Sequence, residues 1–310
     1  MASWADRMRR TELELMQFFA RWPTLALARS ETLRDLRRNA EAEFAKVALP
    51  EACLIEPVDE HGIRGERILP SGADTDSAIL YHHGGGYVFG SPATHRHLVA
   101  RLAEAAGMTA YNMAYSLAPE RPYPAGVNDA VANYRFVLDQ GIAPERIVLA
   151  GDSAGGNLTA ALVLQAREEG LPSPAGVLLI SPWLHLGEKP PPAGYSFERD
   201  PLLDPEALRA WSAAYRGGVE ATHPKISPLF ADLAGFPPTL ILVGGAEILL
   251  EDSLLFARNI ALVGGDVQLN VWKHQPHAWP LFHADLPTSG LGAIVQAGLW
   301  IMQIVKPCAR

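Results

Sequence analysis

Apolar residues in this chain occur in two patterns. The first is the short unbroken run: Ala78-Ile79-Leu80-Tyr81, Ile147-Val148-Leu149-Ala150, Val177-Leu178-Leu179-Ile180 and Leu240-Ile241-Leu242-Val243. Runs this short, rich in branched residues and bounded by polar residues or glycine, predict strands covered on both faces. The second is recurrence at every third or fourth position over ten or more residues, which predicts helices with one apolar face. On this basis strands are expected at 53–58, 63–69, 78–82, 109–115, 146–150, 176–180, 239–244 and 267–272. Helices are expected near 94–106, 124–140, 154–169, 205–216, 251–263 and 290–305. The later strands are separated by helical segments, so they should pair in parallel through right-handed crossovers. The first two lie close enough together to form an antiparallel edge. The chain therefore reads as α/β, with a mostly parallel eight-stranded sheet flanked by helices.

Three candidate chemical signals fall at the ends of predicted strands. Gly151-Asp152-Ser153-Ala154-Gly155 follows one strand and opens a helix, the G-x-S-x-G pattern of a nucleophile elbow. A tight strand-to-helix turn exposes the hydroxyl and sets it at a helix N-terminus, where free N–H groups favour developing negative charge. Taken alone, the same five residues also fit a serine that merely caps its helix, or a phosphate-cradling loop. The phosphate reading lacks its own motif, since no G-x-x-x-x-G-K-[ST] is present. His83-Gly84-Gly85-Gly86 follows an earlier strand and matches the HGGG loop that supplies backbone donors to an oxyanion. Downstream, Glu247 follows the strand at 239–244 and His277 follows the strand at 267–272. Serine, acid, histidine is the chain order expected of such a triad. Glu251 and Asp252, one helical turn beyond Glu247, compete for the acid role, with Asp252 the second choice after Glu247.

The stretches His83–Pro92, Tyr115–Ala125, Gly151–Asn157, Ser181–Trp183 and Pro276-His277 together resemble the hormone-sensitive-lipase-like branch of the α/β-hydrolases, the bacterial family IV carboxylesterases. The resemblance implies an α/β-hydrolase fold, with Ser153 as nucleophile and His277 as general base. It also implies an oxyanion hole from the N–H groups of Gly84, Gly85 and Ala154. The chain departs from the family in two places. Glu247-Ile248-Leu249 stands where Asp-Pro-Leu is common, and Ser116 stands where Arg is usual. A glutamate orients an imidazole as an aspartate does, and Ser116 is expected to change a structural hydrogen bond only.

Two segments lie outside the strand-helix alternation. Residues 1–45 are helical in pattern, with Leu13, Leu15, Met16, Phe18, Phe19 and Trp22 on a broad apolar face. Residues 184–235 interrupt the sheet and carry Tyr195, Phe197, Trp211 and Tyr215 among prolines. A connection that long is seldom structureless. In the resembled family such segments form a helical cap, so 1–45 plus 184–235 are assigned to a cap and 46–183 plus 236–310 to the catalytic domain. Tyr87, Trp183, Tyr195, Phe197, Trp211 and Tyr215 are the candidate substrate-binding residues.

Composition narrows the remaining possibilities. With 34 acidic against 26 basic residues, the net charge of −8 argues against a nucleic-acid surface. Two cysteines, Cys53 and Cys308, give no disulfide framework and fit a reducing, cytoplasmic compartment. No apolar run reaches the roughly 20 residues a membrane helix needs, and no signal peptide is evident at the N-terminus. No paired-cysteine or H-E-x-x-H spacing suggests a metal. His82, His95, His97, His274 and His283 are therefore read as structural, and Asp152 as a brace for the turn or the oxyanion loop. The expected activity is hydrolysis of small uncharged short-acyl esters without a cofactor. A lactone is the rival substrate on the same triad. A non-catalytic small-molecule receptor is the rival of another class, and the presence of His277 weighs against it. By family analogy, the last strand and the C-terminal helix are the expected surfaces of a homodimer.

Overall fold

The computed structural model describes residues 13–18, 32–188, 200 and 202–305, and the unbroken apolar runs form its central strands. Eight strands follow one another along the chain: β1 (Cys53–Glu60), β2 (Ile63–Pro70), β3 (Asp74–His82), β4 (Met108–Met113), β5 (Ile147–Asp152), β6 (Gly176–Ile180), β7 (Thr239–Gly244) and β8 (Val267–Trp272). In space they lie in the order β1-β2-β4-β3-β5-β6-β7-β8. From β4 to β8 every pairing is parallel. The β1–β2 pair is antiparallel, as the short spacing predicts. β2 is also antiparallel to β4, so β2 alone runs against the body of the sheet and β1 runs with it.

The helices are α1 (Leu33–Phe44), α2 (Pro92–Ala106), α3 (Ala125–Asp139), α4 (Ser153–Glu168), α5 (Pro205–Arg216), α6 (Leu250–Leu262) and α7 (Pro287–Ile304). Local chemistry sets their ends. α2 starts behind a capping box made by Ser91 and Thr94, and stops at Gly107, which is left-handed. α5 starts with Asp204 accepting the N–H of Glu206 and stops at left-handed Gly217.

The central strands are buried on both faces, which is why their sequences do not alternate. On one face Leu80, Leu149, Val177, Leu179 and Ile241 pack with residues of α3, α4 and α6. On the other, Ile79, Tyr81, Val148, Ala150, Leu178, Ile180, Leu240 and Leu242 pack with residues of α2 and α7. β5 runs two residues further than its apolar run, so Ser153 is the first residue of α4. β4 ends before Ala114, whose N–H turns to the carbonyl of Arg64. Among the described residues no helix is long and apolar enough to cross a membrane.

Candidate active site

The loop after β3, the C-terminal end of β5 and the loop after β8 converge on one cavity of about 360 Å³. Ser153 and His277 both line it, with Gly85, Gly86, Asp152 and His95. The elbow conformation is explicit: Ser153 has φ of +53°. A non-glycine residue held there stores strain of order 1–3 kcal/mol, which the surrounding packing must outweigh. The packing around Gly151 shows how. A Cβ on Gly151 would lie 2.8 Å from the carbonyl oxygen of His82, so the turn closes directly onto the end of β3.

His277 is 7% exposed, and its Nδ1 faces Glu247 Oε1 at 3.6 Å. That is slightly beyond hydrogen-bond contact, and neither atom has another partner among the described residues. Such contacts often tighten only when substrate is bound. Glu247 is fully buried, and its Oε2 accepts from Ser181 Oγ at 2.6 Å and from the N–H of Gly244 at 3.1 Å. Burial pushes the Glu247 carboxyl above its ordinary value, while His277 and Ser181 pull against that shift. Burial disfavours the His277 imidazolium, but Glu247, Asp200 and Asp152 outweigh it and the ring's pKa is raised. Ser181 was part of a sequence motif but had no assigned role. It links the Glu247 carboxylate to the backbone beside His277, because Ser181 Oγ also accepts the N–H of Ala278 at 3.0 Å. Ser181 and Ala278 both have positive φ, at +46° and +48°.

The second acid candidate lies elsewhere. Asp252 Oδ2 accepts the N–H groups of Leu184 and His185, each at 2.9 Å, and so fixes the chain after β6.

The oxyanion loop differs from expectation at one glycine. The N–H of Gly84 donates to Asp152 Oδ1 at 3.0 Å, so it is already engaged. Gly85 and Gly86 line the cavity, and their N–H groups make no hydrogen bond among the described residues. The backbone N–H groups left without a partner along the cavity wall are therefore those of Gly85 and Gly86. Sequence could not separate three consecutive glycines, because the choice depends on which N–H the buried Asp152 takes. That carboxylate also accepts from Tyr81 OH at 2.9 Å and pairs with His95 Nε2 at 3.2 Å. Burial alone would raise the Asp152 pKa, yet His95 and Tyr81 hold it below the usual value. Asp152 thus braces the loop, as expected, with His95 as its unforeseen partner.

Trp211 lines the cavity, and its ring occupies the space a Cβ on Gly86 would need, 2.5 Å from Cε3. Three other aromatic candidates do not line it. Tyr87 stacks on Tyr215 with centroids 3.5 Å apart, and its hydroxyl donates to Asn157 Oδ1 at 2.6 Å. The carbonyl of Trp183 accepts from Asn157 Nδ2 at 2.7 Å. These rings are buried in the core, where Asn157 gives the Tyr87 hydroxyl its partner and the Tyr215 hydroxyl has none among the described residues. Tyr195 and Phe197 lie outside the described residues. Ser116, at the unusual position, hydrogen-bonds Asp129 through both its N–H and its hydroxyl.

Comparison with known proteins agrees with this arrangement. A family model described as alpha/beta hydrolase fold matches residues 79–281. An acetyl-hydrolase of Streptomyces hygroscopicus is 41% identical over 223 residues, covering 72% of this chain and 74% of that one. An esterase of Acinetobacter venetianus is 36% identical over 235 residues, covering 75% and 77%. The crystal structure of an esterase from the bacterial hormone-sensitive lipase family superposes with a TM-score of 0.87 at 36% identity, covering 99% of this chain and all of that one.

Proposed function

The chain belongs to the α/β-hydrolase-fold family, among its hormone-sensitive-lipase-type esterases, and we propose that it hydrolyses small uncharged esters through Ser153, His277 and Glu247. One observation carries this reading. Ser153, strained at the head of α4, opens into the same cavity as His277, whose Nδ1 faces a buried carboxylate 3.6 Å away. That leaves Nε2 as the nitrogen for the serine proton. His277 takes the proton as Ser153 attacks the ester carbonyl, and Glu247 stabilises the imidazolium that forms. The N–H groups of Gly85, Gly86 and Ala154 receive the oxyanion. His277 then protonates the leaving alcohol, and water releases the acyl group by the same route. No cofactor enters these steps.

The cavity supports short acyl groups. Its walls are mostly apolar, from Leu36, Phe44, Phe89, Leu203, Leu281 and Phe282, and Trp211 closes against the oxyanion loop. α1 and α5 both contribute to those walls, which supports their assignment to a cap. The acetyl-hydrolase name of one relative points the same way. The composition supports a cytoplasmic enzyme with no nucleic-acid partner.

The test is hydrolysis of p-nitrophenyl esters from acetate to palmitate, with lactones as a second panel. Ser153→Ala and His277→Ala are each expected to lower kcat by about 10⁴-fold or more while the fold persists. Full turnover in a clean Ser153→Ala preparation would refute the triad. Rates rising through long acyl chains would refute the short-acyl reading, and turnover of lactones alone would move the substrate class.

A further inference from the structure

Asp200 carried no role in the sequence reading. It lies on the stretch leading into α5 and is 8% exposed. Its Oδ1 accepts the N–H groups of Leu202 and Leu203, both at 2.9 Å. Its Oδ2 accepts the N–H of Ile248 at 2.8 Å. Leu202 and Leu203 are walls of the cavity, and Ile248 follows Glu247 in the chain. A single carboxylate therefore joins the substrate wall to the loop that carries the acid.

We propose that Asp200 is a positioning residue for ester hydrolysis: it fixes the Glu247 loop and the Leu202-Leu203 wall as one unit, and holds a second negative charge beside the His277–Glu247 pair. The inference rests on His277 being the base, as argued above. Three N–H donors favour the ionised form of a buried carboxylate and so work against the burial that disfavours it. The charged groups acting on His277 come from three places: Glu247 after β7, Asp200 before α5, and Asp152 at the end of β5. All three favour the imidazolium, and burial opposes it. Toward Glu247, Asp200 is a like charge that adds to the upward push of burial. Asp200 itself is pushed up by burial, with His277 and the three backbone donors opposing. A brace that acted by hydrogen bonding alone would hold the wall and the loop. A charged brace also sets where the base titrates.

The experiment separates these roles. kcat and KM for p-nitrophenyl butyrate are measured between about pH 5 and pH 9 for wild type, Asp200→Asn and Asp200→Glu. Losing an anion lowers the pKa of His277, so the acid limb of kcat/KM in Asp200→Asn should move down by about half a unit to one unit. KM should rise by about three- to tenfold as the leucine wall loosens. Asp200→Glu keeps the charge on a longer arm, so its acid limb should stay with wild type while KM rises. An Asp200→Asn limb superimposed on wild type would overturn the proposal, whatever its melting temperature. Should Asp200→Asn not fold, an unchanged KM in Asp200→Glu overturns it. Absence of Ser153-dependent turnover in wild type would instead defeat the esterase reading, a separate outcome.

Discussion

The choice of acid turns on where two carboxylates point. Glu247 has one oxygen facing His277 and the other held by Ser181 and Gly244. Asp252 spends an oxygen on two backbone N–H groups after β6. Glu247→Gln should therefore lower kcat by about 10³–10⁴-fold, since a neutral partner neither stabilises the imidazolium nor fixes its tautomer. Asp252→Asn should cost about 1–3 kcal/mol of stability, through a lost charged hydrogen bond, and keep kcat within about threefold of wild type. Urea unfolding and kcat measured on both variants check the pair, and the reverse ranking would make Asp252 the acid. The raised pKa of His277 adds a sign. The base works only when neutral, so activity should fall as pH drops through a value above 6.5. A pH–rate profile with its acid limb below that value would contradict this.

Elements show how far the one-dimensional pattern reaches. The runs at 176–180, 239–244 and 267–272 are strands to the residue, because all three end at polar or turn-forming positions. Ser153 and His277, the proposed nucleophile and base, could be read from their motifs, which are local in sequence. Gly86, His95, Ser181 and Asp200 could not. Their surroundings depend on a partner far along the chain: His95 meets Asp152, Ser181 meets Glu247, Asp200 meets the Ile248 N–H, and, among the described residues, Gly86 keeps a free N–H beside a Gly84 held by Asp152. Tyr87 is expected from sequence to bind substrate, yet it turns to Asn157 and does not line the cavity, a contact that nothing near it in sequence announces. At this scale α7 makes its own prediction. Leu291, Val295, Leu299 and Met302 form an exposed stripe down the helix, and Val271 is exposed on the edge strand β8. Such a face, beside an unpaired strand edge, supports a homodimer. Light scattering should give twice the chain mass, and Val295→Lys with Leu299→Lys should return it to one chain. A wild-type monomer at assay concentration would remove the idea.

For the molecule as a whole, buried histidines set the response to acid. Burial holds His82, His83 and His97 down to about 3 and His283 to about 4. His97 Nδ1 lies 3.0 Å from His283 Nε2, and both nitrogens of His82 are without partners among the described residues. In the unfolded chain each would titrate near 6.5. Their stabilisation is complete above that pH and is lost as pH falls toward the folded values, at about 1 kcal/mol per histidine per unit. His277, raised in the folded state, offsets part of the loss. Unfolding free energy in urea should drop by about 3–6 kcal/mol between about pH 6.5 and pH 5. A flat stability across that range would mean that these rings carry protons in the folded state.

The contact between the elbow and the end of β3 also limits how such a chain can be re-engineered. A Cβ on Gly155 would collide with the carbonyls of His82 and His83, while a Cβ on Gly84 would strike the Asp152 carboxylate. Each loop is the mould for the other. Replacing either one alone, by grafting or by saturation mutagenesis, selects against most outcomes before chemistry is sampled. Libraries that exchange 82–90 and 151–157 together keep the mould and its cast matched, and are the units in which new substrate preferences are best sought.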